Sequence, residues 1–174
     1  MKRFEIRDFL RVANGEIEPP PCDTMMNIRV TAANEGESTG TWTVDDSFIN
    51  GNGVVMGGFL SSAADIMMAY AIASKLDDHQ GFASINLDTT FHRPVTEGVV
   101  TVHARVDRLG KRVAYVIAEL YQHDKKSSYM PVLNLYYVKR ACPSMMSKLF
   151  YLRATSKCIG CSNNSFTRFV KETA

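Results

Sequence analysis

A single carboxylate lies inside the most apolar stretch of this 174-residue chain. Between Gly53 and Ser74, Asp65 is the only formally charged residue. Burial of an unpaired charge opposes folding, so a carboxylate in such a segment usually has a structural partner or a chemical role. The composition leaves both interpretations open: Asp65 acts on a substrate, or it accepts hydrogen bonds from backbone N–H groups or pairs with a Lys or Arg.

A loop rich in glycine and asparagine precedes this carboxylate. Gly57 and Gly58 stand where a helix is expected to begin, and glycine lets a ligand approach the backbone closely. The first N–H groups of a helix lack intrahelical acceptors, and the helix dipole favours negative charge there. Such a helix start suits an oxyanion hole for acyl transfer, although a Gly-Gly pair alone more often marks only a flexible helix start. The amide of Asn50 could hold a carbonyl or a water, or it could stabilise the turn.

The elements that position these residues form an α+β pattern. The segment from about Gly58 to Asp77 is apolar on nearly all sides, which predicts a helix wrapped by the rest of the fold. A short surface helix is predicted at residues 3–13, and the three prolines at 19–21 predict extended chain. Alternating apolar residues and short turns then predict about six antiparallel strands around the long helix. The predicted strands are 22–33, 38–45, 83–91, 98–108, 112–122 and 129–140.

The loop and the helix together form a recognisable motif. The motif reads Asn50-x-x-Gly53-x-x-Met56-Gly57-Gly58, with Asp65 seven residues later. It resembles the hot-dog-fold acyl-CoA thioesterases of the PaaI type, within the superfamily similar to 4-hydroxybenzoyl-CoA thioesterase. Residues 84–94, which end in Arg93-Pro94, and the turn at residues 108–112 are similar to later blocks of that family. The resemblance implies a hot-dog fold, in which a curved antiparallel sheet wraps one long helix.

The resemblance also implies catalytic roles. Asp65 would be the nucleophile, or the general base that activates water against a thioester carbonyl. The N–H of Gly57, together with Asn50, would polarise that carbonyl and hold the developing oxyanion. Ser84 matches the Ser or Thr that opens the next strand in the family, and it would orient the water or Asp65.

The remaining implications concern substrate binding and assembly. Met56 and Gly58 would line the substrate site, and Arg93, Lys111 or Arg112 could meet the phosphates of coenzyme A. Each of these three cations could equally be an ordinary solvated surface charge. Family members are homodimers or homotetramers whose active sites lie at a subunit interface, and they use no metal or other cofactor.

One position departs from the family motif, because Met56 stands where the family usually has His. If that His only orients the loop or the substrate, the exchange changes specificity and rate. If turnover needs it, the chain is a non-catalytic acyl-CoA-binding module, either a sensor or a degenerate enzyme. A hot-dog dehydratase or hydratase ranks last, since such enzymes need a His beside the acidic residue.

Charge and cysteine content divide the chain into a body and a tail. The net charge is +2, which gives no indication of nucleic-acid binding, but residues 141–174 carry +4 and the rest −2. We expect an N-terminal helix and proline-rich lead-in at 1–21, a hot-dog domain at 22–141 and a loosely ordered basic tail at 142–174. In that tail Cys158 and Cys161 form a CxxC without a second ligand pair, so we expect no metal site there. Without an uninterrupted apolar leader, and with Asp65 inside the most apolar segment, we expect a cytoplasmic protein with no stable membrane insertion.

Overall fold

The computed structural model describes residues 4–122 and 130–140, which form a six-stranded antiparallel sheet around one long helix. The helices are α1 (Ile6–Ala13), α2 (Pro21–Met25) and α3 (Gly57–Ala73), and a 3-10 turn spans Asp46–Phe48. The strands are β1 (Ile28–Asn34), β2 (Glu37–Val44), β3 (Gln80–Thr89), β4 (Gly98–Leu109), β5 (Val113–Gln122) and β6 (Met130–Arg140). Their order in the sheet is β1-β2-β4-β5-β6-β3. The α+β hot-dog prediction is therefore confirmed.

Helix α3 lies inside the curve of the sheet and contacts all six strands. Met67 and Met68 are adjacent in sequence and so point about 100° apart around the helix, yet both are fully buried. Burial of each such side chain contributes roughly 1.5–3 kcal/mol, so the helix is held by packing rather than by propensity. This arrangement explains why the apolar residues of α3 show no single-sided stripe.

Strand β3 forms one edge of the sheet and pairs only with β6 among the described strands. It follows α3 in the chain but lies beside the last strand, because β4 pairs with β2, and β5 and β6 then fill the positions between β4 and β3. Residues 83–86 of β3 are exposed, and they include the apolar side chain of Ile85. A ten-residue edge with unpaired backbone groups is a template for pairing with another strand.

The predicted strand at 22–33 is wrong in its first half. Pro21 begins the short helix α2, because proline is accepted at the first helical position, where its missing N–H would have no partner. Asn27 then takes a positive φ of 53°, and the strand begins only at Ile28. The buried Asp23 anchors α2 by accepting a hydrogen bond of 2.5 Å from the hydroxyl of Tyr70 on α3.

Helix α3 also ends earlier than the predicted Asp77. Its last residue is Ala73, and the hydroxyl of Ser74 donates to the carbonyl of Ala71 and accepts from the N–H of Gly36. These side-chain bonds terminate the helix against the β1–β2 turn. The predicted surface helix, the second strand and the four later strands are confirmed to within a few residues, whereas the predicted tail at 142–174 lies outside the described residues.

Candidate active site

The carboxylate of Asp65 lies midway along α3 and is half-buried. Its Oδ1 atom accepts a hydrogen bond of 3.0 Å from Oη of Tyr136 and a longer one of 3.4 Å from Oγ of Ser84. The structure thus brings together two of the residues that the sequence singles out, Asp65 and Ser84. Two hydroxyl donors on one oxygen hold the carboxylate in a defined orientation.

Tyr136 is a member of this cluster that the sequence reasoning missed. It lies on β6 directly opposite Ser84 on β3, so the two hydroxyls approach Asp65 from paired positions of adjacent strands. One signal could have found it: the alternation of β6 turns Tyr136 inward, and a buried tyrosine needs a hydrogen-bond partner for its hydroxyl. The one charged residue on the central helix was the obvious acceptor.

The start of α3 has the predicted glycines, flanked by two exposed apolar side chains. Gly57 and Gly58 are its first residues after the N-cap Met56, so their N–H groups belong to the turn that lacks intrahelical acceptors. Met56 is 46% exposed and the nearby Phe91 is 53% exposed. The helix start therefore presents backbone N–H groups beside an apolar surface, which is the combination that an acyl carbonyl and its chain require.

Asn50 is a turn residue in the preceding loop. Its side-chain Oδ1 accepts a hydrogen bond of 2.8 Å from the N–H of Asn52, and its carbonyl accepts from the N–H of Gly53. The loop is closed by the bridge between Ile49 and Val55. The Oδ1 atom of Asn50 therefore stabilises the turn, which is the second of the two roles that the sequence left open for this side chain.

The helix start and Asp65 are well separated within one chain. Asp65 follows Gly57 by eight positions in the helix, which at 1.5 Å of rise per residue is about 12 Å along the axis. One carbonyl group cannot contact both groups at once. The oxyanion donors and the carboxylate of a single chain therefore do not form one site by themselves.

A hydroxyl pair connects the helix start to the edge strand. Oγ of Ser61 lies 3.0 Å from Oγ1 of Thr89 and donates to the carbonyl of Gly57 at 3.1 Å. Thr89 is the last residue of β3, two residues before Phe91. The first turn of α3 is thus tied to one end of the edge strand, whereas Ser84, beside Asp65, lies near the middle of that strand.

The three predicted phosphate-binding cations do not form one cluster. Arg93, Lys111 and Arg112 are all exposed. Arg93 follows the end of β3 that pairs with Val132, whereas the carbonyl of Arg112 accepts from the N–H of Val138, six residues further along β6. The cations thus lie towards opposite ends of the β3–β6 pair.

Residues 4–122 and 130–140 contain no group of three or more His, Cys, Asp or Glu side chains that could hold a metal ion. In the same residues, no helix combines the length and the apolar character needed to span a bilayer.

Known proteins share both the sequence pattern and the fold. Residues 52–128 match the family model of the thioesterase superfamily. A Pseudomonas aeruginosa protein named as a candidate esterase is 32% identical over 83 residues, which is 47% of this chain and 62% of the relative. The chain thus spans less than two thirds of that relative's length.

Solved structures agree in fold. A Ralstonia eutropha protein, named as a candidate thioesterase related to phenylacetic acid degradation, has a TM-score of 0.68 at 26% identity, with 74% of this chain and 98% of that chain covered. The PaaI protein from the Escherichia coli phenylacetic acid degradation operon has a TM-score of 0.68 at 22% identity, with 79% and 98% covered. The matched segment contains the start of α3, Asp65 and Ser84, and this chain is similar to the thioesterase superfamily in both sequence and fold, as its motif predicts.

Proposed function

We propose that this chain hydrolyses acyl-CoA thioesters to the free acid and coenzyme A. The observation that carries the proposal is the carboxylate of Asp65, held on the central helix by the hydroxyls of Ser84 and Tyr136. The match of residues 52–128 to the thioesterase superfamily supports the reaction class. The N–H groups at the start of α3, which lack intrahelical acceptors, support an electrophilic role for the helix, which needs no metal.

The reaction can be written with Asp65 as general base. Water attacks the thioester carbon while Asp65 takes one of its protons, and the carbonyl oxygen becomes an oxyanion that the N–H of Gly57 stabilises. The oxyanion then collapses, the C–S bond breaks, and the departing thiolate takes up the proton from Asp65. Alternatively, Asp65 attacks the carbon itself and water hydrolyses the resulting anhydride. A single turnover in ¹⁸O-labelled water distinguishes the first route from an anhydride that water cleaves at the Asp65 carbonyl, since in that case the label enters Asp65 and not the first acid released.

A second copy of the chain is needed to complete the site. Because Gly57 and Asp65 lie about 12 Å apart along α3, the oxyanion donors and the base that act on one carbonyl must come from different subunits. The edge strand β3 can pair with the same strand of a second copy. The proposed pairing is antiparallel, between β3 and β3 of a second copy around a twofold axis, in the register that sets Ser84 of one strand beside the Thr89 end of the other. Asp65 of one subunit would then face the helix start of its partner.

The basic residues are proposed to meet coenzyme A around this interface. Within one chain Arg93 lies at the Thr89 end of β3, and Lys111 and Arg112 lie at the opposite end. The same twofold pairing brings Arg93 of one subunit towards the Lys111–Arg112 turn of the other. The phosphates of coenzyme A would then be bound by cations from both subunits.

A second candidate function, an acyl-CoA-binding module without turnover, is favoured by Met56. This thioether occupies the N-cap of α3, where the resembling family usually has His, and its Cε atom lies close to Gly58. A thioether can pack against an acyl chain but cannot donate a strong hydrogen bond or transfer a proton. Binding without release of thiol would identify this function.

The test is a panel of short, long and aromatic acyl-CoAs, with colorimetric detection of free thiol. We expect wild type to release thiol and Asp65→Asn to lose at least about 100-fold in kcat, as expected for loss of a base or nucleophile. Asp107→Asn is the matched control, because Asp107 is exposed and forms a surface ion pair with Arg105. Full activity of Asp65→Asn would refute the assignment, and saturable binding without thiol release by wild type would favour the binding module.

A further inference from the structure

Tyr136 is a buried hydroxyl donor that the superfamily motif does not include. Its side chain is only 1% exposed. Burial of a tyrosine removes its hydroxyl from water, so the hydroxyl must find an acceptor in the protein. The acceptor is Asp65: Oη lies 3.0 Å from Oδ1 and 3.5 Å from the main-chain carbonyl oxygen of the same residue.

The ring of Tyr136 is fixed by packing. It makes an edge-to-face contact with Phe82, with the ring centroids 5.4 Å apart and an angle of 84° between the planes. Phe82 in turn contacts Phe9 of α1 at 5.8 Å. The Cα atom of Tyr136 pairs with Ala114 on one side and Ser84 on the other, so its backbone is held within the sheet. The hydroxyl therefore has little freedom to leave Asp65.

The hydroxyls of Ser84 and Tyr136 act on the same oxygen of Asp65. Ser84 and Tyr136 contribute hydroxyls from cross-strand partners, and each reaches Oδ1. A carboxylate oxygen has about two lone-pair sites, so Oδ1 is largely occupied by these two bonds.

We propose that Tyr136 is a positioning residue for Asp65: its hydroxyl holds Oδ1 and so fixes the orientation in which the carboxylate acts on the thioester or its attacking water. This inference rests on the proposed thioesterase function. Orientation of a reacting group contributes to the barrier of the chemical step rather than to substrate affinity. Loss of the Tyr136 hydroxyl should therefore change kcat and leave KM nearly unchanged.

The experiment compares Tyr136→Phe with Tyr115→Phe, a matched control at a tyrosine that is 42% exposed on β5. We expect Tyr136→Phe to lower kcat about 10-fold, with KM within about twofold of wild type, whereas Tyr115→Phe retains wild-type values. Unchanged kcat in Tyr136→Phe, with wild type active, would overturn the inference and leave the proposed function standing. A rise in KM with unchanged kcat would also overturn it.

A second measurement tests the contact without relying on activity. Melting temperatures of Tyr136→Phe, Asp65→Ala and the double variant form a cycle. We expect the shift of the double variant to be smaller than the sum of the single shifts, because both changes remove the same bond. Additive shifts would overturn the inference. If the shifts of the variants are coupled but wild type releases no thiol, the proposed function is refuted and the bond between Tyr136 and Asp65 is only structural.

Discussion

The ring of Phe91 lies directly against Gly57, the first residue of α3. A Cβ atom built on Gly57 would come within 2.8 Å of Cζ of Phe91, closer than side-chain atoms can approach. Because that ring atom is the far end of a side chain that is 53% exposed, the ring can swing away at small cost. Glycine at position 57 therefore lets an aromatic ring cover the start of the helix.

Gly57→Ala should act on substrate binding through Phe91. The alanine retains the backbone N–H, so the oxyanion donor survives, but the added methyl group displaces the ring. We expect Gly57→Ala and Phe91→Ala each to raise KM for acyl-CoA several-fold, and the double variant to show no further increase, since both changes clear the same position. Steady-state kinetics across the acyl-CoA panel measures this.

Gly51→Ala is the control for these variants, because a Cβ atom at Gly51 would meet nothing within 4 Å. It should retain the wild-type KM. If the KM increases of Gly57→Ala and Phe91→Ala multiply instead, the two residues act independently, and Phe91 does not mediate the effect of the methyl group.

Mixed dimers test the two-subunit site. Gly57→Pro removes the N–H at the first helical position, where proline is accepted, and Met56 before it already has the extended ψ of 132° that precedes proline. We expect Gly57→Pro and Asp65→Asn to be nearly inactive alone. In a twofold dimer that combines them, one site has both defects and the other has none.

Random mixing of the two variants should therefore restore about a quarter of wild-type activity, since half of the dimers are mixed and each has one intact site. The measurement is thiol release after refolding or co-expression of equal amounts. Each variant mixed with itself is the control. Failure of the mixture to exceed the controls would contradict a site shared between subunits.

The sequence predicts the parts of this site that depend on local pattern. Asp65 is conspicuous because it is the single charge in an apolar helix, and Ser84 follows from the motif. Tyr136 is 71 residues from Asp65, and only the pairing of β6 with β3 brings its hydroxyl to the carboxylate. Such a contact depends on strand order, which local periodicity does not specify.

The same limit explains the error near the N-terminus. The sequence around Cys22 contains no helical period long enough to detect, and three prolines favour extended chain locally. Helix α2 is nevertheless stable because Asp23 bonds to Tyr70 across 47 residues. A tertiary contact here overrides a local preference.

Gly40, in the middle of β2, should tolerate no side chain. A Cβ atom there would lie 2.5 Å from the carbonyl oxygen of Arg29 on β1 and 2.5 Å from Cε of Met67 on α3. The carbonyl belongs to a paired strand and cannot move aside as a side chain can. We expect Gly40→Ala to lower the free energy of unfolding by about 1–3 kcal/mol, as overpacking of a core does.

Chemical denaturation measures the effect of Gly40→Ala. Gly51→Ala again serves as the control, and it should change stability by less than about 0.5 kcal/mol. Equal stability of the two variants would mean that β2 and α3 do not approach each other as closely as the structure shows.

Asp23→Asn should change how stability depends on pH. Burial raises the pKa of the Asp23 carboxyl, an effect only partly offset by hydrogen bonds from Tyr70 and Cys22. The folded protein therefore keeps this proton to a higher pH than the unfolded chain does, and stability from this group falls as pH rises between the two pKa values. Asparagine is neutral throughout and still accepts a bond from Tyr70.

The measurement is urea titration from pH 4 to pH 7. We expect the unfolding free energy of Asp23→Asn, minus that of wild type, to increase over this range. The same difference for Asp107→Asn, at an exposed carboxylate, should show no such rise. A difference for Asp23→Asn that stays flat or falls with pH would contradict a raised pKa of the buried Asp23 carboxyl.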